Sequence, residues 1–102
     1  MAWHFAAKAD EIGDNEVIGV TVDGRPIAIY RIGDAFFATH NICTHEHALL
    51  SDGYLEGGCI ECPIHQARFD VRTGAAITLP ATEPVATYPV KVEEGRVLVE
   101  LG

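Results

Sequence analysis

Apolar and polar residues alternate with a period of two along much of the chain. This pattern predicts β-strands in which every second side chain faces a core. The alternation is clearest in four segments, residues 18–22, 26–32, 35–39 and 90–101. Each segment has the length of an ordinary strand or of a short hairpin, so the pattern indicates strands joined by tight turns.

Short turn motifs separate these segments. The Asp-Gly pair at 23–24, the Gly-Asp pair at 33–34 and the Glu-Gly pair at 94–95 each stand between two apolar runs. Glycine beside an acidic residue is a hairpin signal because such pairs tolerate positive φ. We therefore expect β-hairpins at both ends of the chain and a turn-rich middle from about residue 41 to residue 84.

Helical periodicity is weak. Residues 6–12 and 45–50 could each form one helical turn, and neither stretch supports a longer helix. The chain contains no repeat, low-complexity tract or linker. The fold class is therefore predicted to be all-β, a small antiparallel sandwich or barrel.

Length and charge exclude several classes of protein. The 102 residues, 48% of them hydrophobic, suffice for one globular domain over residues 1–102. Fifteen acidic against seven basic residues give a formal net charge of -8, whereas nucleic acid and anionic lipid attract basic proteins. We find neither a membrane-spanning apolar run nor a signal peptide. We expect a cytoplasmic monomer without nucleic-acid or membrane partners.

The three cysteines, at positions 43, 59 and 62, are an odd number. A secreted, disulfide-stapled domain of this size usually carries four or more. The count favours a reducing compartment, in which cysteines more often bind metal or carry out redox chemistry.

Two short segments combine a thiol with an imidazole. Cys43 and His45 are separated by one residue, Cys62 and His65 by two, and sixteen residues lie between the two pairs. Two cysteines and two histidines would satisfy a tetrahedral zinc ion, although zinc modules more often pair cysteine with cysteine and histidine with histidine. Each segment here is mixed and lies among predicted strands. From the residues alone, a structural zinc module stays open as an alternative.

The two segments resemble the ligand boxes of Rieske proteins, which bind a [2Fe-2S] cluster with two histidines in place of two cysteines. The resemblance implies that Cys43 and Cys62 hold the inner iron and that His45 and His65 hold the outer iron. Residues 51–53, 61–63, 68–70 and 73–74 are also similar to the ferredoxins of bacterial ring-hydroxylating dioxygenase systems. The resemblance implies a small Rieske-type fold with a cluster-binding subdomain of two loops, about residues 41–84.

The resemblance also implies a function. Such a ferredoxin is a one-electron carrier, not an enzyme, in aromatic compound degradation. An NAD(P)H-dependent flavoprotein ferredoxin reductase would donate the electron, and a terminal Rieske non-haem iron oxygenase would accept it. Two alternatives remain: the small Rieske-like subunit of an assimilatory nitrite reductase, and the ferredoxin of a di-iron aromatic monooxygenase.

Four positions predict a low reduction potential. Respiratory Rieske proteins have a disulfide where this chain has Ala48 and Ile64, and hydroxyl donors where it has Ala67 and Phe69. Hydroxyl groups near the cluster sulfurs stabilise the more negative, reduced state. Their absence predicts a potential of about -150 mV, at the low end of the Rieske range.

Other residues of the turn-rich middle are not predicted to bind the cluster. Cys59 is predicted to be a spare thiol in a strand, not the partner of Cys62 in a thioredoxin-like pair. His47 does not match the ligand pattern and is assigned to the surface. The proline-containing segment 79–84 is expected to shield the cluster. The region also carries acids that could steer the carrier to basic partners, Glu46, Asp52, Glu56, Glu61 and Glu83.

Overall fold

The computed structural model describes residues 2–44, 48–64, 66–79 and 83–101. Within these ranges the chain is built of antiparallel strands and two single turns of 3-10 helix, at Ala9–Glu11 and Leu50–Asp52, which confirms the all-β prediction. The strands are β1 (Trp3–Lys8), β2 (Glu16–Val22), β3 (Arg25–Ile32), β4 (Ala35–His40), β5 (Tyr54–Glu56), β6 (Cys59–Glu61), β7 (Arg68–Asp70), β8 (Thr87–Tyr88), β9 (Val90–Glu93) and β10 (Arg96–Glu100).

The first and last strands form one side of a sandwich. A three-stranded sheet has the order β1-β10-β9, and a four-stranded sheet has the order β2-β3-β4-β8. Their facing side chains, among them Ile27, Ile29, Val97 and Val99, are fully buried in one core. The alternation of apolar residues in β3 and β10 therefore marks the inner faces of two packed sheets.

Strand β3 separates this core from a second one. Ile27 and Ile29 face the first core, whereas Ala28 and Tyr30 belong to the second, and all four residues are fully buried. A third sheet, of order β5-β6-β7, contributes Ile60 and other side chains to the second core. The turn-rich middle of the chain thus packs on the outer face of the four-stranded sheet.

The predicted hairpin turns are confirmed. Val22 pairs with Arg25, which leaves a two-residue loop in which Asp23 and Gly24 have φ of 49° and 77°. The loop at 94–95 has the same form, with φ of 52° and 73°. Two-residue loops of positive φ match the right-handed twist of the strands that they join.

The helical turn predicted within residues 6–12 is confined to Ala9–Glu11, because β1 extends to Lys8. A β-bulge between Phe5 and Ala7 interrupts the alternation of β1 and hides the strand from the sequence pattern. The turn predicted within 45–50 is wrong where the chain is described, since Leu49 bridges Ile42 and the 3-10 turn follows at Leu50–Asp52. Residues 45–47 lie outside the described residues.

No helix in the described part of the chain is long and apolar enough to cross a membrane.

Candidate metal centre

Cys43, the first residue of the first predicted ligand box, lies where the chain forms a loop after β4. Ile42 forms an antiparallel bridge with Leu49, and the Leu50 N–H donates to the Asn41 carbonyl oxygen at 2.7 Å. Between these links, the Cys43 N–H donates to the Ala48 carbonyl oxygen at 2.9 Å. Cys43 is therefore fixed by its backbone where the loop closes.

The second box lies at the tip of the hairpin formed by β6 and β7. The Cys62 N–H donates to the Ala67 carbonyl oxygen at 2.7 Å, and the Gln66 N–H donates to the Cys62 carbonyl oxygen at 3.2 Å. Gln66 has a φ of 59°, a left-handed conformation that closes the loop. In both boxes the cysteine N–H donates to the carbonyl oxygen of an alanine five residues later, so the two loops are closed by the same kind of hydrogen bond.

Both cysteines belong to the second core. Cys43 is 3% exposed and Cys62 is fully buried, and they share that core with Ala48 and Ala67. Two thiols converge on one apolar core, which is a ligand arrangement that suits iron–sulfur clusters or zinc.

The chain's three cysteines form no disulfide. Cys59 is half-buried in β6, where it pairs with Glu56 on one side and Asp70 on the other. Side chains alternate between the faces of a strand, so Cys59 and Cys62 point to opposite faces of the hairpin. The predicted strand at Cys59 is confirmed, and this setting does not suit a thioredoxin-like pair.

His45 and His65 lie outside the described residues, as does His47. Their positions in the sequence fall within the two loops that Cys43–Ala48 and Cys62–Ala67 close. The full ligand set therefore stays a prediction, whereas its two sulfur members are placed in one core at equivalent points of two similar loops.

The proline-containing segment is anchored beside the first loop. The Thr44 hydroxyl Oγ1 donates to the Glu83 carbonyl oxygen at 3.0 Å. Val85 is buried in the second core, and its N–H donates to the Gly74 carbonyl oxygen at 2.8 Å. Gly74 has a φ of 79°, and a Cβ atom there would overlap the carbonyl oxygen of Val85, so the anchor requires glycine. Residues 80–82 of the segment lie outside the described residues.

Asn41 and Ser51 form a hydrogen-bonded pair beside the first loop. The sequence pattern did not predict this pair. The Ser51 N–H donates to Asn41 Oδ1 at 2.8 Å, and Asn41 Nδ2 donates to Ser51 Oγ at 2.9 Å. Gly19 of β2 lies against both side chains, and a Cβ atom at that position would clash with them. The available signal in the sequence is a glycine in the interior of a predicted strand, which often marks close approach of another segment.

A second buried pair lies in the wall between the two cores. Tyr30 is fully buried, and its hydroxyl oxygen lies 2.8 Å from Thr39 Oγ1. Thr39 Oγ1 in turn donates to the His40 carbonyl oxygen at 2.9 Å. Burial raises the pKa of the Tyr30 hydroxyl, and its hydrogen bond with Thr39 opposes that rise.

The cluster-binding region predicted from the sequence exposes both acidic and apolar side chains. Asp52, Glu56 and Glu83 are exposed and Glu61 is half-buried, whereas Glu46 lies outside the described residues. Ile64, next to the second box, is 57% exposed, and Leu79 is 78% exposed. Of the acids predicted to steer the carrier, Asp52, Glu56 and Glu83 are therefore exposed to solvent and Glu61 is exposed in part.

Comparison with known proteins identifies the family. A family model of the Rieske [2Fe-2S] domain matches residues 2–89. The chain is 50% identical over 101 residues to the ferredoxin component of the naphthalene 1,2-dioxygenase system of Pseudomonas putida, covering 99% of this chain and 97% of that protein. It is 47% identical to the anthranilate 1,2-dioxygenase ferredoxin subunit of Burkholderia cepacia, covering 98% and 93%.

A solved structure agrees with these relatives. In the complex of reduced oxygenase and oxidized ferredoxin of carbazole 1,9a-dioxygenase, one chain superposes with a TM-score of 0.90 at 41% identity. The match covers 95% of this chain and 91% of that one. Family, relatives and fold agree with the two cysteine loops. The chain belongs to the Rieske [2Fe-2S] domain family, in which the cofactor is one [2Fe-2S] cluster.

Proposed function

We propose that this protein is the ferredoxin component of an aromatic-ring dioxygenase system, in which it carries one electron at a time. A flavoprotein ferredoxin reductase that oxidises NAD(P)H is the proposed donor, and a terminal Rieske non-haem iron oxygenase is the proposed acceptor. The observation that carries the proposal is the pair of like-built cysteine loops on one core, in a chain that matches such ferredoxins along nearly its whole length.

The proposed ligand set is Cys43, His45, Cys62 and His65. The two cysteine thiolates would hold the inner iron, and the two imidazoles would hold the outer iron. When bound, the cluster accepts one electron and releases it again at a potential that its ligands set. The backbone bonds to Ala48 and Ala67 hold the sulfur atoms in place, and the surrounding apolar core excludes water from them.

The mixed ligand set explains why such a carrier accepts electrons readily. With neutral imidazoles, two ferric ions, two sulfides and two thiolates have no net formal charge, so reduction adds the first negative charge. A cluster held by four thiolates is already anionic before it is reduced. Adding an electron to the less negative site is easier, and mixed ligation therefore raises the potential.

The proposed ligands are tested by single substitutions and the visible spectrum, together with iron and sulfide analysis. Cys43→Ser, Cys62→Ser, His45→Ala and His65→Ala should each lose the normal cluster. Cys59→Ser is the matched control and should retain it, because Cys59 points away from the core. Loss of the cluster in Cys59→Ser, or a colourless protein that holds zinc, would contradict the ligand assignment.

The proposed partners are tested by reconstitution. The reduced protein is mixed with a candidate dioxygenase, and electron acceptance is measured together with formation of the hydroxylated product. Coupled product formation supports the proposal. Stable co-purification with a large nitrite reductase subunit, or efficient reduction of a di-iron monooxygenase alone, would favour one of the two alternative functions.

We further propose that the exposed acids near the loops steer the carrier to basic surfaces on its partners. Long-range attraction raises encounter rates while leaving affinity low, which suits a carrier that must bind and leave quickly. The rate of electron transfer should therefore fall as ionic strength rises. A rate that stays constant from low to high salt would contradict steering.

Residues 1–102 are proposed to form one domain, in which residues from about 41 to 84 bind the cluster. The protein is also proposed to be a monomer and to lie in the cytoplasm. Sedimentation of the cluster-loaded protein tests the oligomeric state, and fractionation of the producing cell tests the location.

A further inference from the structure

Asn41 lies two residues before Cys43, and its backbone is bonded on two sides. Its N–H donates to the carbonyl oxygen of Pro26 in β3 at 3.0 Å, and its carbonyl oxygen accepts the Leu50 N–H at 2.7 Å. The residue is only 4% exposed. The start of the first cysteine loop is therefore attached both to the four-stranded sheet and to the segment that leaves the loop.

The side chain of Asn41 makes a second attachment to that segment. Its Oδ1 atom accepts the Ser51 N–H at 2.8 Å, and its Nδ2 atom donates to Ser51 Oγ at 2.9 Å. Both ends of the amide are thus used. A Cβ atom added to Gly19 of β2 would lie 2.6 Å from Ser51 Oγ and 2.8 Å from Asn41 Nδ2. The pair is therefore confined by the backbone of β2.

Ser51 belongs to the 3-10 turn Leu50–Asp52, which leads directly to Gly53. Leu50 is fully buried in the second core. The Asp52 N–H donates to the Leu49 carbonyl oxygen at 3.0 Å, and the Gly53 N–H donates to the Leu50 carbonyl oxygen at 2.9 Å. Two backbone hydrogen bonds and one buried side chain fix this turn, so Ser51 and Gly53 keep a constant separation.

Gly53 lies against the strand that leads into the second cysteine loop. It directly precedes Tyr54, which pairs with Glu61 in the ladder of β5 and β6. Glu61 in turn directly precedes Cys62. A Cβ atom at Gly53 would overlap the Glu61 carbonyl oxygen, so glycine here allows the two backbones to touch.

We propose that Asn41, Ser51 and Gly53 are positioning residues that set the separation of the two cysteine loops. Their contacts form one connection, which begins two residues before Cys43 and ends one residue before Cys62. Hydrogen bonds around metal ligands orient the ligands and tune the bound metal. The inference rests on the proposed function, because the separation matters for electron transfer only if both cysteines bind one cluster.

The first test is Ser51→Ala in the cluster-loaded protein, which removes the bond from Asn41 Nδ2. Loss of the cluster from the oxidised protein to a chelator, followed in the visible spectrum, should become about fivefold faster, as expected for one lost hydrogen bond. The electron paramagnetic resonance g values of the reduced protein should also shift, because they depend on the geometry of the iron ligands. Wild-type values in both measurements would overturn the proposal.

Asn41 offers a loss and a rescue at one position. Asn41→Ala removes both side-chain bonds and should lose the cluster faster than Ser51→Ala. Asn41→Asp keeps an acceptor for the Ser51 N–H and can accept the Ser51 hydroxyl as well. It should therefore return the rate of cluster loss and the g values toward those of the wild type. If Asn41→Asp behaved like Asn41→Ala, the hydrogen bonds would not be the cause and the proposal would fail.

Gly53→Ala tests the other end of the connection. The added Cβ atom forces the turn and β6 apart, so the g values should shift at least as far as in Ser51→Ala. Gly13→Ala is the matched control, because its Cβ atom would meet the carboxylate end of the Glu16 side chain, which can move aside. Equal shifts in both glycine variants would contradict the proposal. If Gly53→Ala does not fold, the Ser51 and Asn41 variants decide.

Val97→Ala separates positioning from overall stability. Val97 is buried in the first core, whereas both cysteines belong to the second. The variant should unfold at lower denaturant and keep the wild-type g values and rate of cluster loss. If it lost the cluster as fast as Ser51→Ala, overall stability would explain both and the proposal would fall. A wild type without the cluster would overturn the proposed function itself, whereas wild-type behaviour in all the Asn41, Ser51 and Gly53 variants would overturn only this inference.

Discussion

The N–H of Cys62 donates to the carbonyl oxygen of Ala67 at 2.7 Å, and this bond links the two ends of the second loop. The bond fixes the backbone of Ala67. Ala67 has a methyl group at the position where respiratory Rieske proteins have a serine hydroxyl. The same link joins the first box to an alanine at the same spacing. The scaffold for a hydrogen-bonded cluster is therefore present, whereas the donor at position 67 is missing.

Ala67→Ser should raise the reduction potential from the low value expected for the wild type. One added hydrogen bond contributes about 1 kcal/mol, or about 40 mV for one electron, to the reduced state. A redox titration measures the change. Ala76→Ser is the control, because Ala76 is half-buried against the same core and no ligand box adjoins it. A potential that falls or stays constant in Ala67→Ser contradicts the argument.

Gln66→Gly should stabilise the protein by about 1 kcal/mol or less. Gln66 has a φ of 59°, which costs a residue with a Cβ atom about 1 kcal/mol or more. Glycine removes that strain but is more flexible in the unfolded chain, so the gain is partial. Gln66→Val should be destabilised, since β-branching disfavours positive φ further. Denaturant unfolding measures both, and a more stable valine variant would be inconsistent with strain at this site.

Thr44→Val should loosen the proline-containing segment from the first loop. The substitution removes the 3.0 Å hydrogen bond to the Glu83 carbonyl oxygen, which contributes about 1 kcal/mol. Local opening should become about fivefold more frequent, and hydrogen exchange of the Val85 amide would report it. Thr44→Ser retains the hydroxyl and should exchange like the wild type. Equal protection in Thr44→Val would mean that Val85 alone anchors the segment.

Stability should fall at alkaline pH because of Tyr30. Burial raises the pKa of its hydroxyl in the folded protein above the value of about 10 in the unfolded chain. The contribution of Tyr30 to the free energy of unfolding is fully present below about pH 10. It is lost as the pH rises further, because the tyrosine hydroxyl loses its proton more easily in the unfolded chain than in the folded protein. Thermal unfolding as a function of pH measures the loss.

Tyr30→Phe should flatten this alkaline decline, and it should cost about 1 kcal/mol at neutral pH because the bond with Thr39 is lost. Tyr54→Phe is the control, since it makes the same substitution at a tyrosine that is 65% exposed. A steep alkaline decline that persists in Tyr30→Phe would assign the effect to another group.

Local chemistry explains which elements the sequence predicted. Period-two alternation marked β10 because Val97 and Val99 face one core. In β3 the alternating Ile27 and Ile29 face that same core, and the residue between them faces the other core. The Asp23-Gly24 pair marked its turn through the positive φ of both residues. The cysteine boxes were recognisable because ligand spacing is a property of a short loop. Strands of three residues, such as β5 and β7, are too short to establish a period.

Contacts between distant segments could not be predicted in the same way. Thr44 meets Glu83 only because Val85 is anchored on Gly74, and Gly19 approaches Ser51 only because the middle of the chain packs on the outer sheet face.

Strand β1 pairs with β10 in an antiparallel register that sets Trp3 opposite Glu100. The chain therefore enters and leaves this fold at neighbouring points of one sheet, and the cysteine loops belong to a different part of the fold. The domain could therefore be inserted into a host protein through two short linkers without interrupting either cysteine loop. The same fold would then suit a separate electron carrier and a domain within a larger electron-transfer protein.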